Sequence, residues 1–142
     1  MIIVDTNVIL SFLLVDGITR KLIVSNKDLF IAPEHCFDEL WENRKRWNRH
    51  ELSEDTLREI VNEVKRIFIM PIEDEVYVKH TNEARELIED SDDVPLVALA
   101  MSVDNEGIWT YNKKHFDNKK LKARVSVLTT KDMLERYPLR DL

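Results

Sequence analysis

Acidic side chains stand at three places where apolar runs border polar residues. Asp5 follows the run Met1–Val4 in MIIVDTN. Glu39 lies in FDEL, early in the segment after the run Leu29–Ala32. Asp92 and Asp93 precede the run Val94–Met101 in SDDVPLVALA. A fourth polar position, Asn112, follows Ile108–Thr110 in IWTYN and offers an amide oxygen. Carboxylates gathered on one spot repel one another at neutral pH, and a hard cation relieves that repulsion. Mg2+ and Mn2+ take oxygen ligands and retain several waters. Water on such an ion gives up a proton more readily and attacks a phosphodiester, while the ion neutralises charge on the leaving oxygen. Other chemistries find less support. No Ser or Cys is paired with a His for nucleophilic catalysis, and no Cys/His cluster suggests zinc. Two glycines in the whole chain are too few for a Gly-rich phosphate cradle.

The elements that must bring these residues together follow from the apolar pattern. Met1–Val4, Leu29–Ala32, Met70–Ile72, Ile108–Thr110 and Val125–Leu128 are short continuous apolar runs, the pattern of strands buried on both faces. Between them lie helical segments. Val8–Val15 and Ile18–Asn26 come first. Glu34–Arg49 carries Phe37, Leu40, Trp41, Arg44 and Trp47 on one side, with Glu39 off that stripe. A helix capped by Ser53 has an apolar face of Ile60, Val61, Val64, Ile67 and Phe68, and Pro71 is expected to stop it. Thr81–Glu89 follows, then Val94–Val103, with Ser91-Asp92-Asp93 as its cap, Pro95 in its first turn and Gly107 closing it. Lys131–Tyr137 closes the chain. Alternating strands and helices predict an α/β domain with a mainly parallel sheet, and ligands of such a sheet gather beyond the carboxyl ends of its strands. Asp5, Glu39, Asp93 and Asn112 all fall at that end.

The chain has 142 residues, which fits one domain, residues 1–142, with a substantial core. Its apolar fraction of 44% and charged fraction of 34% are those of a soluble globular protein. The formal charge of −6 argues against a protein that coats nucleic acid unspecifically. The charge is uneven, however. Lys113, Lys114, Lys119, Lys120, Lys122 and Arg124 form one basic run, with Asp117 its only acid. Arg44, Lys45, Arg46 and Arg49 form a second basic group, and Glu83–Asp93 is acidic. An acidic pocket beside basic patches suits a metal ion and phosphate together. The lone Cys36 reads as a buried small hydrophobe and fits a reducing, cytoplasmic setting. The apolar N-terminal stretch lacks the preceding basic residues of an export signal and is interrupted by Asp5. No run elsewhere is long enough to cross a membrane.

Taken in order, MIIVDTNVILSFLL, FDEL, SDDVPLVALA and IWTYNKKHF resemble the motifs of PIN domains, over about residues 1–137. The resemblance implies a PIN-like three-layer α/β/α sandwich around a central, mainly parallel sheet of four to five strands. It implies a metal-dependent ribonuclease, with Asp5, Glu39 and Asp93 as catalytic and metal-binding residues for Mg2+ or Mn2+. RNA is then the substrate, and VapC-type toxins of this family pair with an antitoxin protein. The spacing to the Ala98-Leu99-Ala100 helix favours Asp93 over Asp92. Asn112 stands where many members carry Asp, which weakens the hold on a second metal. Thr6 and Asn7 are expected to cap locally or orient Asp5, Thr110 to orient Asn112, and Lys113 and Lys114 to meet RNA phosphates. Asp117 lies beyond the motif, and His115 is expected at the surface or a strand edge. Trp41 and Trp47 read as core or homodimer contacts. Two other readings compete: a catalytically weakened PIN-like domain that binds RNA or protein, and a phosphatase using Asp5 as nucleophile. The last lacks its usual second Asp, since Asn7 occupies that position.

Overall fold

The computed structural model describes residues 1–140; the expected domain boundary at residue 142 lies outside them. Five strands form one sheet: β1 (Ile2–Val4), β2 (Phe30–Pro33), β3 (Ile69–Ile72), β4 (Ile108–Trp109) and β5 (Val127–Leu128). Every ladder is parallel, and the order is β3-β2-β1-β4-β5. β1, β2 and β4 are buried along their whole length, which is why they appear in sequence as unbroken apolar runs. The chain moves from β1 to β2 and β3 on one side, then crosses back to β4 and β5 on the other. The switch point therefore lies between β1 and β4, and a crevice opens past their carboxyl ends.

Helices flank the sheet. α1 (Thr6–Leu14) and α2 (Ile18–Ser25) lead to β2, and α3 (Glu34–Glu42), α4 (Arg44–Trp47) and α5 (Glu54–Glu63) lead to β3. α6 (Asp74–Tyr77), α7 (Thr81–Leu87) and α8 (Val94–Ser102) precede β4. α9 (Lys119–Lys122) precedes β5, and α10 (Thr130–Arg136) ends the fold. α8 packs on α6, α7 and β2, while α1 packs on α2 and α3. Val94, Leu96, Val97, Ala98 and Leu99 are all buried, so α8 is covered almost all round, as its uniformly apolar sequence requires. Trp109, Phe30, Phe37 and Phe116 are the bulkiest wholly buried side chains. Each such ring contributes roughly 1.5–3 kcal/mol by leaving water. The Trp109 indole N–H donates to Thr130 Oγ1 at 3.1 Å, which ties β4 to α10. None of the described helices is long and apolar enough to cross a membrane.

Several local expectations are corrected. The helix expected over Glu34–Arg49 breaks at Asn43, whose backbone leaves the helical region (φ −96°, ψ 13°) and whose side-chain amide donates to Glu39 O at 2.8 Å. Pro71 does not stop the preceding helix. That helix ends in a π-helical turn over Val64–Phe68, and Pro71 sits inside β3, opposite Ala32. β3 is an edge strand, where a missing N–H costs no ladder bond. Gly107 does not close α8, which ends at Ser102, but leads into β4 with φ +143°. The basic run folds into a 3-10 turn over Lys113–Phe116 followed by α9, pinned by the buried Phe116 and Leu121. Trp47 is a core residue of this chain: it is buried and donates its indole N–H to Leu40 O at 2.8 Å.

Candidate metal centre

Asp5 leaves β1 and caps α1. Its backbone is extended, and its Oδ1 accepts from the Thr6 N–H at 2.7 Å. Its other oxygen, Oδ2, accepts from the Thr110 hydroxyl at 2.7 Å. Thr110 is the first residue past β4, the neighbouring strand, so the parallel pairing of β1 and β4 brings these two chain ends side by side. Thr110 Oγ1 also accepts from the Asn112 N–H at 3.0 Å, which folds the Asn112 backbone back toward Asp5. On the other side, the Thr6 hydroxyl donates to Glu39 Oε1 at 2.6 Å, linking α1 to α3. Two threonines thus hold a buried carboxylate between a second carboxylate and the Asn112 turn.

Asp93 reaches the same place from the start of α8. Asp93 takes the expected N-cap position of α8, but no backbone N–H of the helix bonds to its side chain. Instead Asp93 Oδ2 lies 3.2 Å from His115 Nδ1. Asp5, Thr6, Asn7, Glu39, Asp90, Asp92, Asp93, Asn112 and His115 all border one open cleft of about 440 Å³. Asp92 is exposed, with Oδ1 3.6 Å from His35 Nε2, whereas Asp93 is buried. Lys113 and Lys114 do not border this cleft. Lys114 faces an adjoining groove with Glu89, Asp90 and Asp117, and Asp117 is ion-paired with Lys122.

The electrostatics of the cleft are those of anions held too close together. Burial raises the Asp5 carboxyl above its ordinary 3.8, against the lowering effect of the Thr110 and Thr6 hydrogen bonds. Burial also raises Glu39, with Asp92 and Asp5 adding to it. Asp93 is pushed up to about 6, by burial first and then by the Asp5 and Asp90 charges, while His115 opposes the shift. Behind these acids Cys36 is wholly enclosed, and burial drives its thiol far above the usual range, so it is no nucleophile.

The donors fit a divalent cation. Oxygen donors predominate, which suits Mg2+ or Mn2+. Asn7 Oδ1 is buried at the cleft without a hydrogen-bond partner among the described residues. An orphaned buried oxygen of this kind is costly unless a ligand or water meets it. Two groups bring a histidine together with acids of the cleft at metal-holding spacing: His35, which lies outside the cleft, with Glu39 and Asp92, and His115 with Asp90 and Asp93. Asp90, His35 and His115 were not singled out in sequence as site residues. Asp90 was hidden in the acidic run Glu83–Asp93, and His115 followed two lysines that suggested an exposed segment.

A family model described as the PIN domain matches residues 3–135 of the chain. The chain belongs to the PIN domain family. PIN domains are generally nucleases, they bind nucleic acid, and they typically use divalent metals. The all-parallel five-stranded sheet flanked by helices is the fold expected of a PIN domain. No curated protein matches the chain.

Proposed function

We propose that this PIN domain is a metal-dependent endoribonuclease, with Asp5, Glu39 and Asp93 as its catalytic acids. One observation carries the reading: Asp5, buried at the sheet's switch point, is held through Thr110 and Thr6 between Asn112 and Glu39. Asp5, Glu39 and Asp93, with Asn112 beside them, would hold Mg2+ or Mn2+. Such an ion supplies a Lewis acid that polarises a phosphodiester and lowers the pKa of water. The threonines fix the direction of the carboxylate lone pairs, so little reorganisation is needed when the charge arrives. His115, itself exposed, holds Asp93 from the rim of the cleft.

Purified protein incubated with single-stranded and structured RNA in Mn2+ or Mg2+, beside Asp5→Asn, tests this. Cleavage by wild type and a loss of at least about a hundredfold in the variant is expected. Equal cutting by both, or none by either on any RNA tried, removes the reading. The toxin setting implied by VapC-type relatives belongs to the same proposal, with an antitoxin protein as partner. Expression of wild type, and not of Asp5→Asn, would then arrest growth of the host cell.

A second reading, a catalytically weakened PIN domain that binds RNA or protein, rests on Asn112. An amide there offers one neutral oxygen in place of a charged carboxylate. Calorimetry separates the two readings, because a site too weak for catalysis takes up no Mn2+ at millimolar concentration.

A further inference from the structure

The cleft that holds the acids is also lined by side chains of a different character. There Leu10 and Leu14 of α1 and Leu40 of α3 make an apolar wall, and Arg46 and Arg49 stand beside it. Both arginines are exposed, and neither forms an ion pair among the described residues. The other members of this basic group are disposed differently. Arg44 is engaged by Glu54 and lies 4.6 Å from the Trp41 ring centroid, and Lys45 does not border the cleft. Arg58 also lies over the Trp41 ring, at 4.5 Å, and Trp47 is buried with its N–H on Leu40 O. The turn that carries Arg46 and Arg49 is therefore bolted to the core by its neighbours, which leaves these two guanidinium groups over the cleft.

From this arrangement we infer that Arg46 and Arg49 bind the RNA phosphates flanking the scissile bond, with a base of a single-stranded substrate laid on the Leu10–Leu14 wall. The inference rests on the ribonuclease reading of the same cleft. A chain of charge −6 whose cleft is lined by acids must supply local cations to draw a polyanion in. Arginine meets phosphate with two parallel N–H donors and can stack on a base, which lysine cannot do. An apolar wall suits an unstacked base, which only a single strand or loop presents. Lys113 and Lys114, the residues sequence pattern suggested, do not border this cleft, and Lys114 lines the adjoining groove instead.

The test is RNA binding by fluorescence anisotropy, in Ca2+ at several salt concentrations, with a labelled single-stranded octamer and its duplex. The variants are R46A/R49A, R46K/R49K and K113A/K114A. R46A/R49A is expected to bind the single strand about tenfold more weakly and to lower the slope of log K against log salt by about 1.4, two contacts of about 0.7 each. R46K/R49K recovers much of the salt slope and part of the affinity, K113A/K114A stays within about twofold of wild type, and the duplex binds more weakly than the single strand. Unchanged circular dichroism is expected for each, because all four side chains are exposed. If wild type binds and cuts RNA while R46A/R49A binds as wild type does, this inference fails and the ribonuclease reading stands. Duplex binding equal to the single strand removes the base-wall part. If wild type neither binds nor cuts RNA, both fall.

Discussion

Thr110 shows how much of the site hangs on one hydroxyl. It is almost wholly buried, donates to Asp5 Oδ2 and accepts from the Asn112 N–H. Thr110→Val keeps the shape and deletes both bonds. The change should cost about 1–3 kcal/mol of stability by urea denaturation, because a buried acceptor and donor lose their partner. Mn2+ affinity by calorimetry should fall with it, since Asp5 is then free to turn. Asp93 makes a prediction of opposite sign. Its carboxyl is raised to about 6 from an ordinary 3.8, so the folded chain binds this proton more tightly than the unfolded chain. Stability from this group is therefore largest at low pH and is lost as pH rises through about 6. In chelator, Asp93→Asn should be more stable than wild type by about 1–2 kcal/mol at pH 7, with the difference vanishing near pH 4. A variant less stable than wild type at pH 7 without metal would mean that Asp93 is held by favourable contacts and not strained by its neighbours.

At the scale of elements, the ends of strands matter more than their middles. β4 spans only Ile108–Trp109, and Gly107 introduces it at φ +143°. A Cβ there would lie 2.9 Å from Ser126 O and 3.0 Å from Leu128 Cγ, both on the segment that pairs with β4. Gly107→Ala should therefore destabilise by about 2–4 kcal/mol in urea denaturation and loosen the β4–β5 ladder. Hydrogen exchange should show it first at the Ile108 and Thr110 N–H groups, which donate to Ser126 O and Leu128 O. The sequence pattern located the strands and the longer helices, because burial on both faces leaves unbroken apolar runs. It did not show the break at Asn43, because the stripe Phe37, Leu40, Trp41, Arg44 and Trp47 is equally compatible with one straight helix. At that break the Asn43 side-chain amide joins its backbone N–H in donating to Glu39 O. It likewise misjudged Pro71, whose neighbours do not reveal that β3 lies at the sheet edge.

The whole molecule brings the acids to one cleft, where a bound cation would be linked to folding. A cation that binds the folded chain alone stabilises it by mass action, about 2.7 kcal/mol at a hundred times its Kd. For a chain of this size that is a rise in Tm of roughly 5–10 °C. Saturating Mn2+ should produce such a rise at pH 7 in wild type and little in Asp5→Asn, and the rise should shrink below pH 6 as Asp93 takes up its proton. Calorimetric scanning checks this without any RNA, so it stands apart from every cleavage assay. A wild-type Tm that ignores both Mn2+ and Mg2+ would leave the acids as neighbours without a shared ligand.

By itself the sequence determined the α/β class, the PIN resemblance and the positions of Asp5, Asp93 and Asn112 at strand or helix ends, with Glu39 on the helix after the second strand. Local pattern suffices for that, since apolar runs and the residues that follow them are adjacent in the chain. Tertiary structure alone decided which other groups share the cleft. Thr110 meets Asp5 across 105 positions because β1 and β4 pair in parallel, and His115 meets Asp93 across 22 because the 3-10 turn folds back over α8. It also decided which cations border the cleft: Arg46 and Arg49 line it, whereas Lys113 and Lys114 do not. Charge in a sequence has no direction until packing assigns each side chain a face. Here the buried Trp47 anchors the basic turn, while Arg46 and Arg49 stay exposed at the cleft.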